Sequence, residues 1–134
     1  MNAWLLVANP DKYNIKEAVR DMPEFDWHKI PHTRSITEGD TVYIYSAKPD
    51  AAIVAKGKVV KSNVDEVDII DDRAFYVAGN KKFSDNVGYF RIGKFQQLGA
   101  NKALDLGKLR QHGLKTTWGQ KISGELLAYI ESVL

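Results

Sequence analysis

Three aromatic residues lie close in sequence to lysines, and this pairing suits contact with a nucleic acid. The groups are Trp27 with Lys29, Tyr45 with Lys48, and Trp118 with Lys115 and Lys121. Aromatic rings stack on unpaired bases, while lysine side chains attract the neighbouring phosphates. Trp4 differs, because it lies in an apolar run that predicts a core position. For Trp27, burial in a core and contact with a ligand fit the pattern equally well. Trp118 lies beside Thr117 and Gly119, which favours exposure and contact.

The sequence offers no strong pattern for a metal site or for catalysis. His28 and His32 have helical spacing, but Pro31 lies between them and no carboxylate follows at metal-ligand spacing. The acidic run from Asp65 to Asp72 could bind a divalent ion, although its apolar interruptions favour an exposed loop or a strand edge whose charges oppose aggregation. Phosphate-loop, dinucleotide and serine-hydrolase motifs are absent. We therefore expect no metal, no cofactor and no enzymatic activity.

A predicted hairpin positions the central group of aromatic and basic residues. Residues 41–46 are rich in β-branched and aromatic side chains, and residues 52–61 alternate along the strand. The loop between them is short, polar and stiffened by a proline. Tyr45, Ser46 and Lys48 are thus placed at a strand end where they could line a pocket, although an ordinary hairpin loop fits the same pattern.

Positive charge is concentrated in two stretches of the chain that contain no acidic residue. One spans residues 51–64 and includes Lys56 and Lys58, and the other spans residues 106–124 and includes Lys121. A net charge of +2 does not by itself indicate a nucleic-acid partner. If the two stretches meet on one face they would attract phosphates, and otherwise they are solvated lysines.

The remaining patterns predict a sheet covered by short helices. Strands are expected at residues 3–8, 74–78 and 86–95 in addition to the hairpin. Helices are expected at residues 14–20, at residues 105–113 and from residue 123 onward. Residues 25–32 hold two large aromatics and two histidines between prolines, which predicts an irregular, packed connection. The fold class is therefore α+β, with a small, strongly bent or barrel-like sheet.

Length and composition indicate one domain over residues 1–134. The chain has 44% hydrophobic and 27% charged residues, which is ordinary for a globular domain with its own core. Its apolar runs are shorter than the roughly 20 residues that cross a bilayer, so no membrane role is expected. The first residues predict a strand rather than a signal peptide. Because the sequence also lacks cysteine, we expect a cytoplasmic protein without disulfides.

Several segments together resemble the EVE domains of the PUA-like superfamily. They are residues 4–6, 9–15, 26–27, 39–46 (GDTVYIYS) and 52–60 (AIVAKGKVV), with residues 112–115 and 122–126 near the end. The resemblance covers the first half of the chain in order and spacing. The chain departs from the family where an acidic residue usually precedes Pro10 and where a histidine usually separates Tyr45 from Ser46.

The resemblance implies a PUA-like bent mixed β pseudobarrel with short flanking helices that takes a flipped modified base into an aromatic pocket. The matching positions are Asn9, Pro10 and Tyr13, then Trp27, then Tyr45 with Ser46. By this comparison the first three would lie at the pocket entrance and Trp27 would form a stacking wall. The last two would supply the opposite wall and a polar contact.

The resemblance also implies a partner, which is nucleic acid, with DNA favoured over RNA and modified cytosine as the base. EVE domains occur alone or as targeting modules of modification-dependent restriction systems, which allows a nuclease effector on a separate chain. Lys48, Trp118 and Lys121 are then further candidate contacts, and Lys56 and Lys58 are candidate phosphate contacts. One alternative is an RNA-binding or RNA-acting protein of the related ASCH type, for which a lysine and a carboxylate close together in a pocket would be evidence. Another is a protein-interaction domain that uses the exposed aromatics.

Overall fold

A computed structural model describes residues 1–77, 88–99 and 101–134, which form six strands and three α-helices. The strands are β1 (Ala3–Ala8), β2 (Glu24–His28), β3 (Thr41–Ser46), β4 (Ala52–Val64), β5 (Tyr89–Gln97) and β6 (Gln120–Ile122). The helices are α1 (Ile15–Asp21), α2 (Leu106–Gln111) and α3 (Gly124–Ser132). Within the described residues, no helix combines the length and the apolar character needed to cross a membrane. The predicted α+β class with a bent mixed sheet is confirmed.

The strands form one sheet in the order β2-β5-β4-β3-β1-β6. β1 and β3 pair in parallel near the middle of the sheet, and the other described pairs are antiparallel. A parallel pair needs a crossover, and α1 together with β2 supplies it between β1 and β3. The carboxyl ends of β1 and β3 consequently lie at the same end of the sheet.

Side chains on the sheet alternate between two hydrophobic clusters. The inner face, as we name the side covered by α1, holds Trp4 and Leu6 of β1 together with Phe25 of β2. The outer face, covered by α2 and α3, holds Leu5 of β1 and Tyr43 of β3. Successive side chains of a strand point to opposite faces, and here both faces are covered. The central strands therefore have few positions for exposed polar groups.

The sheet curls until its two edge strands are linked. A short 3-10 turn at Pro31–Thr33, which follows β2 on one edge, packs against β6 on the other edge. Gly119, just before β6, permits this approach, because an added Cβ atom would lie 3.0 Å from Ile30 Cδ1 and 3.3 Å from Thr33 Cγ2. The seam between the two edges is therefore packed by side chains rather than closed by backbone pairing.

One buried carboxylate ties the amino-terminal ends of β1 and β3 together. Asp40, which precedes β3 and is 2% exposed, accepts a hydrogen bond of 2.9 Å from Trp4 Nε1 and one of 3.1 Å from the backbone N–H of Asn2. It also accepts bonds from the backbone N–H and the hydroxyl of Thr37. Burial alone would raise the pKa of this carboxyl group, but these hydrogen bonds outweigh burial and hold the pKa below its usual value.

The structure corrects two local predictions. Residues 25–32 were predicted to be irregular, but their first part belongs to β2, because Phe25 and Trp27 alternate with Asp26 and pair with β5. The predicted strand at residues 74–78 is instead a 3-10 turn at Arg73–Phe75 followed by an isolated bridge from Tyr76 to Tyr13. Its last residue, and the first two residues of the strand predicted at 86–95, lie outside the described residues.

The predicted helices and the buried tryptophan are confirmed, and the acidic run is only partly exposed. Trp4 is 1% exposed, and Asp105 caps α2 by accepting a bond from the backbone N–H of Lys108. Residues 65–68 are exposed as expected. Asp72, at the end of the same run, is only 4% exposed, because its carboxylate has a buried partner described below.

Replacement of Asp40 with Asn should lower the free energy of unfolding by about 1–3 kcal/mol at neutral pH, because buried N–H groups lose a charged acceptor. The folded-state pKa of Asp40 is lowered, so its contribution is complete above the unfolded pKa of about 3.9 and is lost as the pH falls through the folded-state value. Urea denaturation of both proteins at neutral and acidic pH measures this difference. The exposed Asp65→Asn variant is the matched control, and a loss as large in the control would contradict the prediction.

Candidate functional site

The carboxyl ends of β1 and β3 carry a set of polar residues on the inner face. Ala8 and Ser46 are paired in the parallel register, and the backbone N–H of Ala47 donates to the carbonyl of Ala8 over 2.9 Å. Ser46 is fully buried, and its hydroxyl donates to Asp50 Oδ2 over 2.8 Å. The loop between β3 and β4 thus turns back over the strand ends and presents Asp50 beside them.

A lysine from α1 completes this polar group. Lys16 Nζ donates to Asp50 Oδ1 over 2.8 Å, and the lysine side chain is 61% exposed while the carboxylate is 19% exposed. The hydrogen bond from Lys16 lowers the pKa of Asp50, and the bond from Ser46 adds to this, while burial opposes it. Asp50 is therefore an ionised acceptor, and each carboxylate oxygen has a second lone pair that can accept another hydrogen bond.

A cavity of about 350 Å³ opens next to this group. Its lining residues come from α1, the β3–β4 loop, β4 and the end of β5, and they are Lys16, Val19, Asp50, Ala52, Val54, Gln97 and Gly99. The volume is in the range of small-molecule sites, which combine apolar walls with a few convergent polar groups. The valines and the alanine can form the walls, while the charged pair and the amide can bind the edge of a ligand.

Aromatic rings form a second cluster on the inner face. Tyr13 contacts Trp27 edge to face with ring centroids 6.1 Å apart, and it contacts Tyr76 at 5.1 Å. The phenol of Tyr13 donates to Asp72 Oδ2 over 2.9 Å, and burial followed by the nearby carboxylate raises the pKa of Tyr13. Trp27 is half-buried, packs against the inner cluster and lies outside the cavity lining.

The segment that buries these rings, residues 65–77, is named the strap, and it is fixed to the sheet at several points. The backbone N–H of Asn14 donates to Phe75 O over 2.7 Å. The backbone N–H of Ile70 donates to Asp26 Oδ2 over 2.7 Å. Arg91 Nε donates to the other oxygen of the same buried carboxylate over 2.9 Å. The strap is thus held by a hydrogen bond to the carboxylate of the Asp26–Arg91 ion pair of the sheet and by a backbone bond to the loop after β1.

The structure separates the residues predicted from the sequence into distinct places. Tyr45 is 3% exposed in the outer cluster, so its ring and that of Trp27 lie on opposite faces of the sheet. Lys56 lies over the ring of Tyr43, which is also on the outer face. Lys58 pairs with Thr41 across β3 and β4 and donates a hydrogen bond to its hydroxyl.

Other predicted residues lie near the strand ends or on the seam. Asn9 is exposed and its side chain accepts from the N–H of Asp11, while Pro10 is half-buried. Lys48 is exposed on the β3–β4 loop. Trp118 is exposed before β6, Lys121 is exposed within β6, and the ring of Trp118 stacks on that of His32. The ring of His28 stacks on that of Trp27 instead, so the two histidines belong to different clusters.

No sequence pattern groups Lys16, Asp50 and Gln97 in one cavity. Asp50 follows the proline of the polar loop between the two hairpin strands, so its position alone gave a local signal. Lys16 lies in the first turn of α1 and Gln97 lies at the end of β5, and neither position is distinctive in sequence. Their convergence depends on how α1 crosses β4 and β5.

Replacement of Asp50 with Ala should lower the free energy of unfolding by about 1–3 kcal/mol, because the buried hydroxyl of Ser46 loses its acceptor. Lys16→Ala is the matched control, since an ion pair with a largely exposed lysine contributes less than about 1 kcal/mol. Chemical denaturation of the two variants measures both losses. Equal losses would show that Asp50 contributes through the ion pair and not through Ser46.

Comparisons with known proteins agree with this architecture. The family model of the EVE domain matches residues 2–125. A protein from Pseudomonas putida has a similar structure, with a TM-score of 0.68, 17% identity and 98% coverage of each chain. A protein from Pseudomonas syringae gives a TM-score of 0.67 at 21% identity and 97% coverage of each chain.

No curated protein sequence matches this chain significantly. The structural similarity extends to an ASCH protein. The ASCH protein from Zymomonas mobilis has a TM-score of 0.58 at 10% identity, covering 98% of this chain and 95% of its own. At these identities the structures show a common fold, whereas the family match spans nearly the whole chain. The chain belongs to the EVE domain family, a group of PUA-like nucleic-acid-binding domains.

Proposed function

We propose that this protein is a non-catalytic reader of a modified base, most consistent with modified cytosine in DNA, and that the flipped base enters the cavity beside Asp50. The observation that carries the proposal is an ionised carboxylate within an otherwise partly apolar cavity. The amino group of cytosine is a hydrogen-bond donor that carboxylates accept. Asp50 thus supplies the acidic acceptor that the sequence lacks before Pro10.

The other lining residues suit the rest of a cytosine ring. Lys16 and Gln97 can donate to the ring acceptors, and Val19 and Val54 offer apolar surface to an added methyl group. Extrusion of a base costs a few kcal/mol, which these contacts must exceed. A buried methyl group adds only about 0.8 kcal/mol, which corresponds to about fourfold preference for the modified base. Discrimination against other bases would then come mainly from the hydrogen bonds that Asp50, Lys16 and Gln97 make to the polar edge of the base.

The predicted aromatic residues have different parts in this proposal. Trp27 and Tyr13 support the inner face and the strap. Asn9 and Pro10 follow β1 at the end of the sheet where Ser46 lies. Ser46 orients Asp50 and does not itself need to contact the base. Tyr45 contributes packing on the outer face. The expected location is the cytoplasm, where a nuclease on a separate chain could use the module as its targeting subunit.

A second candidate function is action on RNA, as in the alternative of the ASCH type. The specific observation in its favour is the Lys16–Asp50 pair at 2.8 Å in the wall of the cavity, because a lysine beside a carboxylate can transfer protons. Incubation of the protein with RNA oligonucleotides tests it. Cleavage that Lys16→Ala abolishes would favour this function over a reader, whereas intact RNA would favour the reader.

Asp50→Asn should weaken binding to an oligonucleotide with modified cytosine by about 1–3 kcal/mol, because the amide presents a donor to the amino group of the base. Binding to an oligonucleotide of equal length without cytosine, which relies on phosphates, should change little. A binding screen of these two oligonucleotides at a stated salt concentration measures both affinities. Ala52→Leu, which fills the cavity without a charge change, should give the same selective loss. An unchanged preference in both variants would exclude the cavity as the base site.

Lys48 should contribute a phosphate contact, because it is exposed on the loop above the cavity. Lys48→Ala should weaken binding to modified and unmodified duplexes alike and reduce the log–log salt slope by about 0.9. Lys58→Ala is the matched control, since this lysine points away from the inner face and donates to Thr41. A larger effect in the control would place the nucleic acid on the outer face, where Lys56 also lies.

A further inference from the structure

The rings of His32 and Trp118 form an exposed aromatic platform on the seam of the sheet. Their centroids are 5.6 Å apart and their planes differ by 3°, so the two rings are parallel. Trp118 is 52% exposed, unlike Trp4 at 1%. Aromatic side chains are enriched in protein interfaces relative to the rest of the surface.

Both rings are carried by loops with fixed positions. Gln120 Nε2 donates to the carbonyl of Thr116 over 2.7 Å and to that of Trp118 over 3.0 Å. These two hydrogen bonds stabilise the turn before β6. On the other side, the backbone N–H of Ile30 donates to Thr33 Oγ1 over 3.0 Å. Gly119 packs against the same two residues. A ligand that stacks on the platform therefore meets rings that are already ordered, which reduces the entropy lost on binding.

The two chain segments that carry the rings are basic. Arg34, Lys115 and Lys121 are exposed in the two segments that carry the rings. Residues 27–34 and 106–124 contain no acidic residue. Stacking rings flanked by cations are the combination that binds an unpaired strand, in which bases stack and phosphates are attracted.

The platform also lies toward the end of the sheet that holds the cavity. β6 is antiparallel to β1, with Gln120 opposite Leu5. Trp118, two residues earlier, thus lies toward the carboxyl end of β1, and Ser46 lies at the equivalent end of β3. A strand that enters the cavity with one base could follow this end of the sheet and bring a base further along to the platform.

We propose that the aromatic platform binds an unpaired base of a nucleic-acid strand by stacking on Trp118, with His32 holding the indole in place. This inference rests on the proposed nucleic-acid binding, but it does not depend on which base enters the cavity. It adds a second contact, insensitive to base identity, that would hold the strand beside an extruded base.

The test compares two single-stranded probes of equal length, an oligothymidylate and an oligonucleotide of abasic sites. Both carry the same phosphates, but only the first has bases to stack. Trp118→Ala should weaken binding to oligothymidylate by about 5- to 150-fold and leave binding to the abasic probe within about twofold. Trp118→Phe should retain most of the affinity, because it keeps an aromatic face. Fluorescence anisotropy of labelled probes at one low salt concentration measures all these affinities.

Two further variants complete the experiment. His32→Ala should give a smaller loss on oligothymidylate alone, and it tests the platform even if Trp118→Ala is poorly folded. Val67→Ala changes another exposed apolar residue, 92% exposed on the strap, and should have no effect. Equal losses on both probes, no loss on either, or no binding of oligothymidylate would overturn the proposal. Absence of a preference for modified cytosine would instead refute the cavity as the site of the modified base, and it would leave the result for the platform unaffected.

Discussion

The hydrogen bonds that Asp40 accepts hold the central strand pair in register. The carboxylate of Asp40 joins Trp4 on β1 to the turn before β3. The backbone carbonyl of Asp40 accepts a hydrogen bond from the N–H of Val59 on β4. A parallel pair lacks a tight hairpin to set its register, and a slip of one residue would move every side chain to the other face. A buried, charged acceptor with several donors permits one alignment, because any other would leave those groups unpaired.

The position of the site follows from that alignment. With β1 and β3 in register, Ser46 lies beside Ala8 on the inner face, and the loop that follows brings Asp50 to the same side. The side chain of Tyr45, one residue earlier, necessarily lies on the outer face. The same alternation separates Lys56 and Lys58 from the cavity, so positive charge near the site comes from α1 and the loop instead.

The curl of the sheet brings distant segments of the chain to this end. The strap is attached through Asp26 and Asp72, two buried carboxylates on segments far apart in sequence. The seam joins the turn after β2 to β6 and thereby places His32 beside Trp118. Both attachments use side chains of an edge strand or of the turn beside it. A small domain can thus offer a cavity and an adjoining aromatic surface on a rigid frame.

The amino-acid sequence by itself determined the central hairpin, the first strand, the three helices and the burial of Trp4, because their alternation and capping residues act over a few neighbouring positions. It also determined the family, through segments whose order and spacing survive in the chain. The strand at Glu24–His28 was missed, because its pairing with β5 is non-local and the prolines that flank this region, Pro23 and Pro31, suggest an irregular loop. The tertiary structure alone decided which side chains share a cavity. Lys16 and Asp50 are 34 positions apart and meet only because α1 crosses the inner face, whereas Trp27 and Tyr45 face opposite sides of a sheet whose register local sequence does not specify.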